Sequence, residues 1–298
     1  MLIGQEPSGP GGIPPTVAGW TRDDGGVSED VTYRRLDAAA PLLVEHAWSV
    51  RSAGPLREVL LPDGRGLLQL EAATPATLVD PWHGARRPDG DGLRGVTTRA
   101  AVREQAGPSA RVGLQLHPLA LARLLPDEHA VAAAVGTVLD PTTVLPGPDL
   151  ERARAALVAG DDEGAVATLL AALVARATDP DELVAFGEVL AFVDAERGLV
   201  TPAQLAREAE VTVSTLHRWS VRHLGVEPAR YLAAVRFAAF VREAVGTGPV
   251  RPGDVVATVR WYAQAGYPPR EVERFTGLTP VELRRLEERV AGLAQAPA

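Results

Sequence analysis

The chain has 298 residues, is 46% hydrophobic and carries a net charge of −8, which is enough apolar material for a packed core and rules out wholesale disorder. It has no cysteine, one methionine and six histidines. That excludes disulfides, thiolate zinc sites, iron–sulfur clusters and a cysteine nucleophile, and it argues against a dense metal site. No run of 18 apolar residues occurs and no basic segment followed by an apolar one opens the chain, so the reading is a cytoplasmic soluble protein without membrane span or signal peptide.

Charge is unevenly distributed. Residues 1–196 hold 16 Arg and 28 Asp+Glu, a net of −12, whereas residues 197–298 hold 14 Arg and 10 Asp+Glu, a net of +4. Two readings stay open on this alone: ordinary scatter, or an acidic module joined to a basic one that meets a polyanion. Every basic residue is Arg, the side chain suited to forked contacts with phosphate and guanine.

Residues 1–30 are rich in Gly, Pro, Ser and Asp, as in Gly9-Pro10-Gly11-Gly12, and read as a disordered tail. Across 31–117, short apolar runs alternate with turn residues. Trp48-Ser49-Val50, Glu58-Val59-Leu60-Leu61 and Leu67-Leu68-Gln69-Leu70 are strand candidates, the last two separated by the turn Pro62-Asp63-Gly64. Several strands in so short a span predict a small β-barrel or sandwich. From 118 to 196 the pattern turns helical, with 165–174 a clear apolar helix after the acidic turn 160–164. Residues 197–292 are also helical but punctuated by Gly and Pro, and 293–298 are a tail. The fold class is therefore α+β: a β-rich N-terminal domain, a helical connector and an all-α C-terminal domain.

The segment 201–222 carries the functional signal. Thr201-Pro202 reads as an N-cap with proline at the first helical position, followed by Leu205, Ala206 and Ala209 on one face. Thr212 is a second N-cap, opening a helix with Leu216 inward. Two short helices joined by a tight turn form a helix-turn-helix. In the second helix Ser214, His217, Arg218 and Val221 make one stripe opposite Leu216. Arg218 can donate two hydrogen bonds to guanine in a major groove, and His217 and Ser214 one each. Thr212, at the helix N-terminus, and Arg222 suit phosphates. The same stripe also reads as the solvated face of an ordinary bundle. The DNA reading requires His217 and Arg218 to be exposed.

Further pieces extend the pattern: the turn Gly225-Val226-Glu227-Pro228 with Tyr231, a long helix carrying Arg236, and the closing Thr276-Gly277-Leu278-Thr279-Pro280. With Leu205-Ala206 and Leu216-His217-Arg218, these make residues 199–287 resemble the DNA-binding domain of the AraC/XylS family of transcription regulators. Upstream, Trp48, the turn 61–64 and Val112-Gly113-Leu114-Gln115-Leu116-His117-Pro118 resemble a subgroup with a β-rich N-terminal domain. The resemblance implies two helix-turn-helix units entering successive major grooves of double-stranded DNA. It also implies an N-terminal domain that binds a small-molecule effector, dimerises, or both, and RNA polymerase as a further partner.

Several residues depart from the family pattern. Glu210 stands where the family's turn carries Gly, which implies positive-φ strain on the order of 1 kcal/mol. Ser220 replaces an anchoring aromatic, with Trp219 beside it. In the second unit Pro268-Pro269 delays its helix, which then carries Arg270 and Arg274 as phosphate binders. A shifted register with a helix over 279–290, Arg284 and Arg285 outward, is the rival. The first unit is thus expected to read sequence and the second to clamp the backbone. The alternative is a family member whose DNA surface has decayed and which works through protein contacts. In the N-terminal domain His46, Trp48, Trp82 and His83 are pocket candidates, each also explained as core. They lack the His-x-His with a following Glu of a metal-binding cupin, and no acid–base or nucleophile constellation stands out, so no metal, no cofactor and no enzymatic activity are expected.

Overall fold

The computed structural model describes residues 31–72, 76–80, 84–178, 182–246 and 250, together with 281, 284, 285 and 288. Among the described residues up to 250, ten short strands and eight α-helices follow one another in the order of a β-rich half and then a helical half. Five strands, β1 (Val31–Leu36), β2 (Val44–Ser52), β9 (Ser109–Leu116), β4 (Gly66–Glu71) and β7 (Gly92–Arg94), pair in that order, and β10 (Val138–Leu139) closes the edge. The second sheet has the order β3 (Leu56–Leu60), β8 (Ala101–Gln105), β5 (Ala76–Val79), β6 (Arg86–Asp89). Both are antiparallel throughout. Of the two expected forms, barrel and sandwich, the described residues form an open, two-sheet sandwich, and no closed sheet is found among them. The turn Pro62-Asp63-Gly64 shows why. It joins β3 to β4, which lie in different sheets, so it is a corner and not a hairpin. Asp63 holds the corner by accepting from the Arg65 amide at 3.0 Å and from Gln115 Nε2 at 3.0 Å, and Gly64 (φ +73°) donates its amide to the Thr97 carbonyl at 3.2 Å.

The two faces of the larger sheet differ in chemistry. One presents Leu68, Leu70, Val112 and Leu114 to helices α3 (Gly147–Val158) and α4 (Asp162–Arg176), which contribute Leu157, Leu169 and Leu173 to a shared apolar core. The helices form a hairpin through Gly160 (φ +87°), and Asp161 caps α4 by accepting from the Gly164 amide at 2.8 Å. Asp162 is buried against β2, where Arg51 Nη2 donates to it at 2.5 Å. The opposite face meets the second sheet through charges. Arg103 of β8 is 0% exposed and bonds Glu71 of β4 at 2.5 Å and Asp89 of β6 at 2.8 Å. Arg111 of β9 pairs with Glu58 of β3, and Arg94 of β7 with Asp89. The sandwich interior is thus largely a network of guanidiniums and carboxylates.

A second apolar core gathers the rest. Phe186, Leu190 and Val193 of α5 (Glu182–Ala195) pack with Leu205 of α6 (Pro202–Glu208), Leu216 and Leu224 of α7 (Val213–Leu224), and Tyr231 and Leu232 of α8 (Pro228–Val245). The helical connector therefore splits between two cores, α3 and α4 joining the sheet and α5 joining the helical unit. Among the described residues no helix is long and apolar enough to cross a membrane.

Candidate nucleic-acid interface

Local chemistry fixes both helices of the first unit. Thr201 and Gln204 cap α6 reciprocally: the Gln204 amide donates to Thr201 Oγ1 at 3.2 Å and the Thr201 amide to Gln204 Oε1 at 2.8 Å, with Pro202 at the first helical position. Thr212 Oγ1 accepts from the Thr215 amide at 3.0 Å to open α7. Gly225, left-handed at φ +71°, ends it. A Cβ on Gly225 would lie 2.7 Å from Val135 Cγ2 and 2.9 Å from Ala132 Cα. The glycine thus lets the end of α7 sit directly on α2 (Glu128–Ala134) and the residue that follows it.

The inner face of α7 is fully engaged. Leu216, Ser220, His223 and Leu224 are buried; each of the two leucines contributes about 2 kcal/mol by burial. Ser220 replaces the expected aromatic without leaving a hole in hydrogen bonding, because its hydroxyl donates to the Val226 carbonyl at 2.7 Å. Trp219 is half-buried against Phe186 of α5, ring centroids 5.7 Å apart, and so belongs to the core.

The outer face is open. Thr212, Val213, Ser214, His217, Arg218, Val221 and Arg222 are all exposed, a contiguous arc of the helix. Ser214, His217 and Arg218 have no side-chain hydrogen bond or ion pair among the described residues. Arg222 pairs with Glu128 of α2 at 3.8 Å, so a phosphate would compete with that carboxylate for it. Arg270 and Arg274 lie outside the described residues, as does the double proline before them. Residues 281, 284, 285 and 288 are helical, and Arg284 and Arg285 are exposed.

Glu210 sits in the turn between the helices at φ +52°, the left-handed geometry expected from the family's glycine. A side chain there costs about 1–2 kcal/mol, and glycine gives back about half of that through the freedom of its unfolded chain. Glu210→Gly should therefore raise the stability measured by urea denaturation by about 0.5–1 kcal/mol. A loss of stability in that variant would mean the turn is not strained.

A cavity of about 340 Å³ lies where the sandwich meets α8. Two of the four pocket candidates, His46 and Trp48, line it, whereas Trp82 and His83 lie outside the described residues. Trp48 lies flat on Gly113 of β9, where a Cβ would come within 2.2 Å of its ring. The Arg111 guanidinium covers the ring at 5.2 Å. Sequence reasoning missed the cavity's cations, Arg94 and Arg111 from the sandwich interior and the three that act on His46: Arg35 from β1, Arg65 from the corner and Arg242 from α8. Burial first, and then the charges of Arg35, Arg242 and Arg65, push the His46 imidazole down to about 4, so the ring is neutral at pH 7. The sandwich and the helical unit are tied beside this cavity. Arg65 Nη2 donates to Asp194 of α5 at 2.5 Å while its Nε reaches Glu45 of β2 at 3.1 Å. The Tyr231 ring packs under Gly64, 2.7 Å from where a Cβ would stand.

No protein-family model matches the sequence, and no curated protein matches it. Among solved structures, the chain is similar to ToxT from Vibrio cholerae O395, with 10% identity, a TM-score of 0.40, and 84% of this chain and 98% of that one covered. ToxT bound to (E)-4-(8-methylnaphthalen-1-yl)but-3-enoic acid gives 10% identity and a TM-score of 0.37, over 87% of this chain and 100% of that one. The AraC-like transcriptional activator CuxR gives 13% identity and a TM-score of 0.27, over 72% and 88%.

Proposed function

We propose that this chain is a sequence-specific DNA-binding transcriptional regulator. The observation that carries the reading is α7 itself. One face is locked into the core, and the other presents Ser214, His217 and Arg218 to solvent from a capped helix, unpaired among the described residues. A helix held in this way enters a major groove without rearrangement, and Val213 and Val221 on the same face suit thymine methyl groups. Arg270 and Arg274 of the second unit are assigned to backbone contacts. The cavity between the sandwich and α8 is the proposed effector site, because a ligand there touches both halves at once. A role in recruiting RNA polymerase and a second copy of the chain belong to the same proposal.

A second reading has one observation in its favour. Glu208 and Glu210 are exposed beside the α7 face, and acids there repel phosphate, as in a regulator that has come to act through protein contacts. Selection from random duplexes with the purified chain separates the two. The first reading expects retained fragments to share a motif of two adjacent half-sites. Retention without any shared motif would overturn it.

A further inference from the structure

A second cavity, of about 420 Å³, lies beyond a wall of Leu60, Leu61, Arg94 and Thr97 that it shares with the first. Strands β5 and β6, the loop from Thr97 to β8, the turn after α2 and the first turn of α8 enclose it. Among the described residues, five guanidiniums line it, those of Arg86, Arg87, Arg94, Arg99 and Arg230, against a single carboxylate, Asp80. This concentration of positive charge stands in a chain whose net charge is −8.

The internal pairing leaves much of this charge unused. Glu104 neutralises Arg86, and Asp89 neutralises one edge of Arg94. Arg87 Nη1 donates to the Gly136 carbonyl at 2.9 Å and has no carboxylate partner among the described residues. Arg99 and Arg230 have neither a hydrogen bond nor an ion pair among them. Arg94 supplies the independent observation. Its side chain is 5% exposed, yet its Nε and Nη1 have no hydrogen-bond partner among the described residues. Buried guanidinium donors left open in this way are costly, and the cost is recovered when an anion takes them.

The geometry points to a small phosphate-bearing ligand bound between Arg87, Arg94, Arg99 and Arg230. A planar guanidinium fork matches phosphate oxygens in pairs, and several unpaired forks around one cavity favour a ligand of more than one negative charge over a lone carboxylate. A cavity of this volume accommodates a small molecule, whereas a duplex backbone tracks along an open surface. Arg99 belongs to the sandwich and Arg230 to α8, six residues after the end of α7. A ligand held by both therefore fastens the sandwich to the DNA-reading unit.

The test is a calorimetric titration of the full chain with inorganic pyrophosphate, and separately with orthophosphate, at fixed salt and without DNA. Saturable pyrophosphate binding, tighter than orthophosphate, is expected. The double variant R99A/R230A should weaken it at least about tenfold. Both side chains are exposed and unbonded, so the melting temperature without ligand should be unchanged. R34A, whose exposed arginine pairs with Glu163 elsewhere on the surface, should bind as the parent does. Three results would overturn the proposal: no saturable binding at millimolar pyrophosphate, binding unchanged in R99A/R230A, or equal binding of both anions with no loss in the variant. Displacement of pyrophosphate by a short non-specific duplex, with duplex binding lost in R99A/R230A, would instead assign these arginines to the DNA backbone and also overturn it. None of these results depends on whether α7 reads a sequence.

Discussion

Arg218→Ala is expected to lower the affinity for a selected operator about 10- to 100-fold at fixed salt, and to lower the affinity for unrelated duplex by much less. The range follows from the ~1–3 kcal/mol of discrimination that a forked contact to one guanine provides. Arg218 is a suitable position because it is exposed and unpaired among the described residues. Its loss removes no internal bond, so an effect on binding is not an effect on folding. Arg222→Ala makes the contrast. It should weaken all duplexes similarly and flatten the dependence on salt by about one phosphate, since a backbone contact carries no sequence information. Its pairing with Glu128 should make that loss smaller than for an unpaired arginine. Quantitative binding of operator and scrambled duplex over a salt series checks both. If Arg218→Ala weakened operator and scrambled duplex by the same factor, base reading by α7 would be refuted, and the protein-contact reading would gain.

Helices α6 and α7 and the turn between them were legible in the sequence because their determinants are local. Thr201 and Thr212 each accept from the amide three residues on, and the stripe Ser214, His217, Arg218, Val221 follows from helical period alone. The left-handed geometry at Glu210 was legible in the same way, as a position that the resemblance assigns to glycine. What escaped the sequence is non-local. Trp219 could be read as anchor or as exposed, because its partner Phe186 lies 33 positions earlier on another helix. The turn 62–64 reads equally well as hairpin or corner, since Gln115 and Thr97, which hold it, come from distant strands.

The charged interior was the least legible feature. Alternation in β8 and β9 places Arg103 and Arg111 on one face, and by habit a charged face is taken as solvated. Only the packing of the second sheet reverses this. The arrangement has a use for the fold. Because side chains alternate with a period of two, a slip of one residue in β8 would move Arg103 from Glu71 and Asp89 to the opposite face. Apolar side chains of similar size tolerate such slips far better than a guanidinium that must meet two named carboxylates. The network therefore fixes the register of the strands that carry both cavities, since Glu58, Arg94 and Arg111 line the first and Arg94 the second.

Arg103→Met should accordingly destabilise the chain by about 3–5 kcal/mol, the cost of stranding a buried charge whose partner is removed, and a large part of the ~5–15 kcal/mol that holds a typical domain together. Methionine fills most of the volume, so the loss is electrostatic. With Arg103 gone, Arg94 still faces Asp89 and Arg111 still faces Glu58, and the carboxylate left over is Glu71. One further result follows. Adding Glu71→Gln to Arg103→Met should recover stability, although Glu71→Gln alone lowers it, so that the two losses do not add. Urea denaturation of the parent and three variants measures this. Additive losses would mean that water reaches the interior and that the arginines are held there by packing alone.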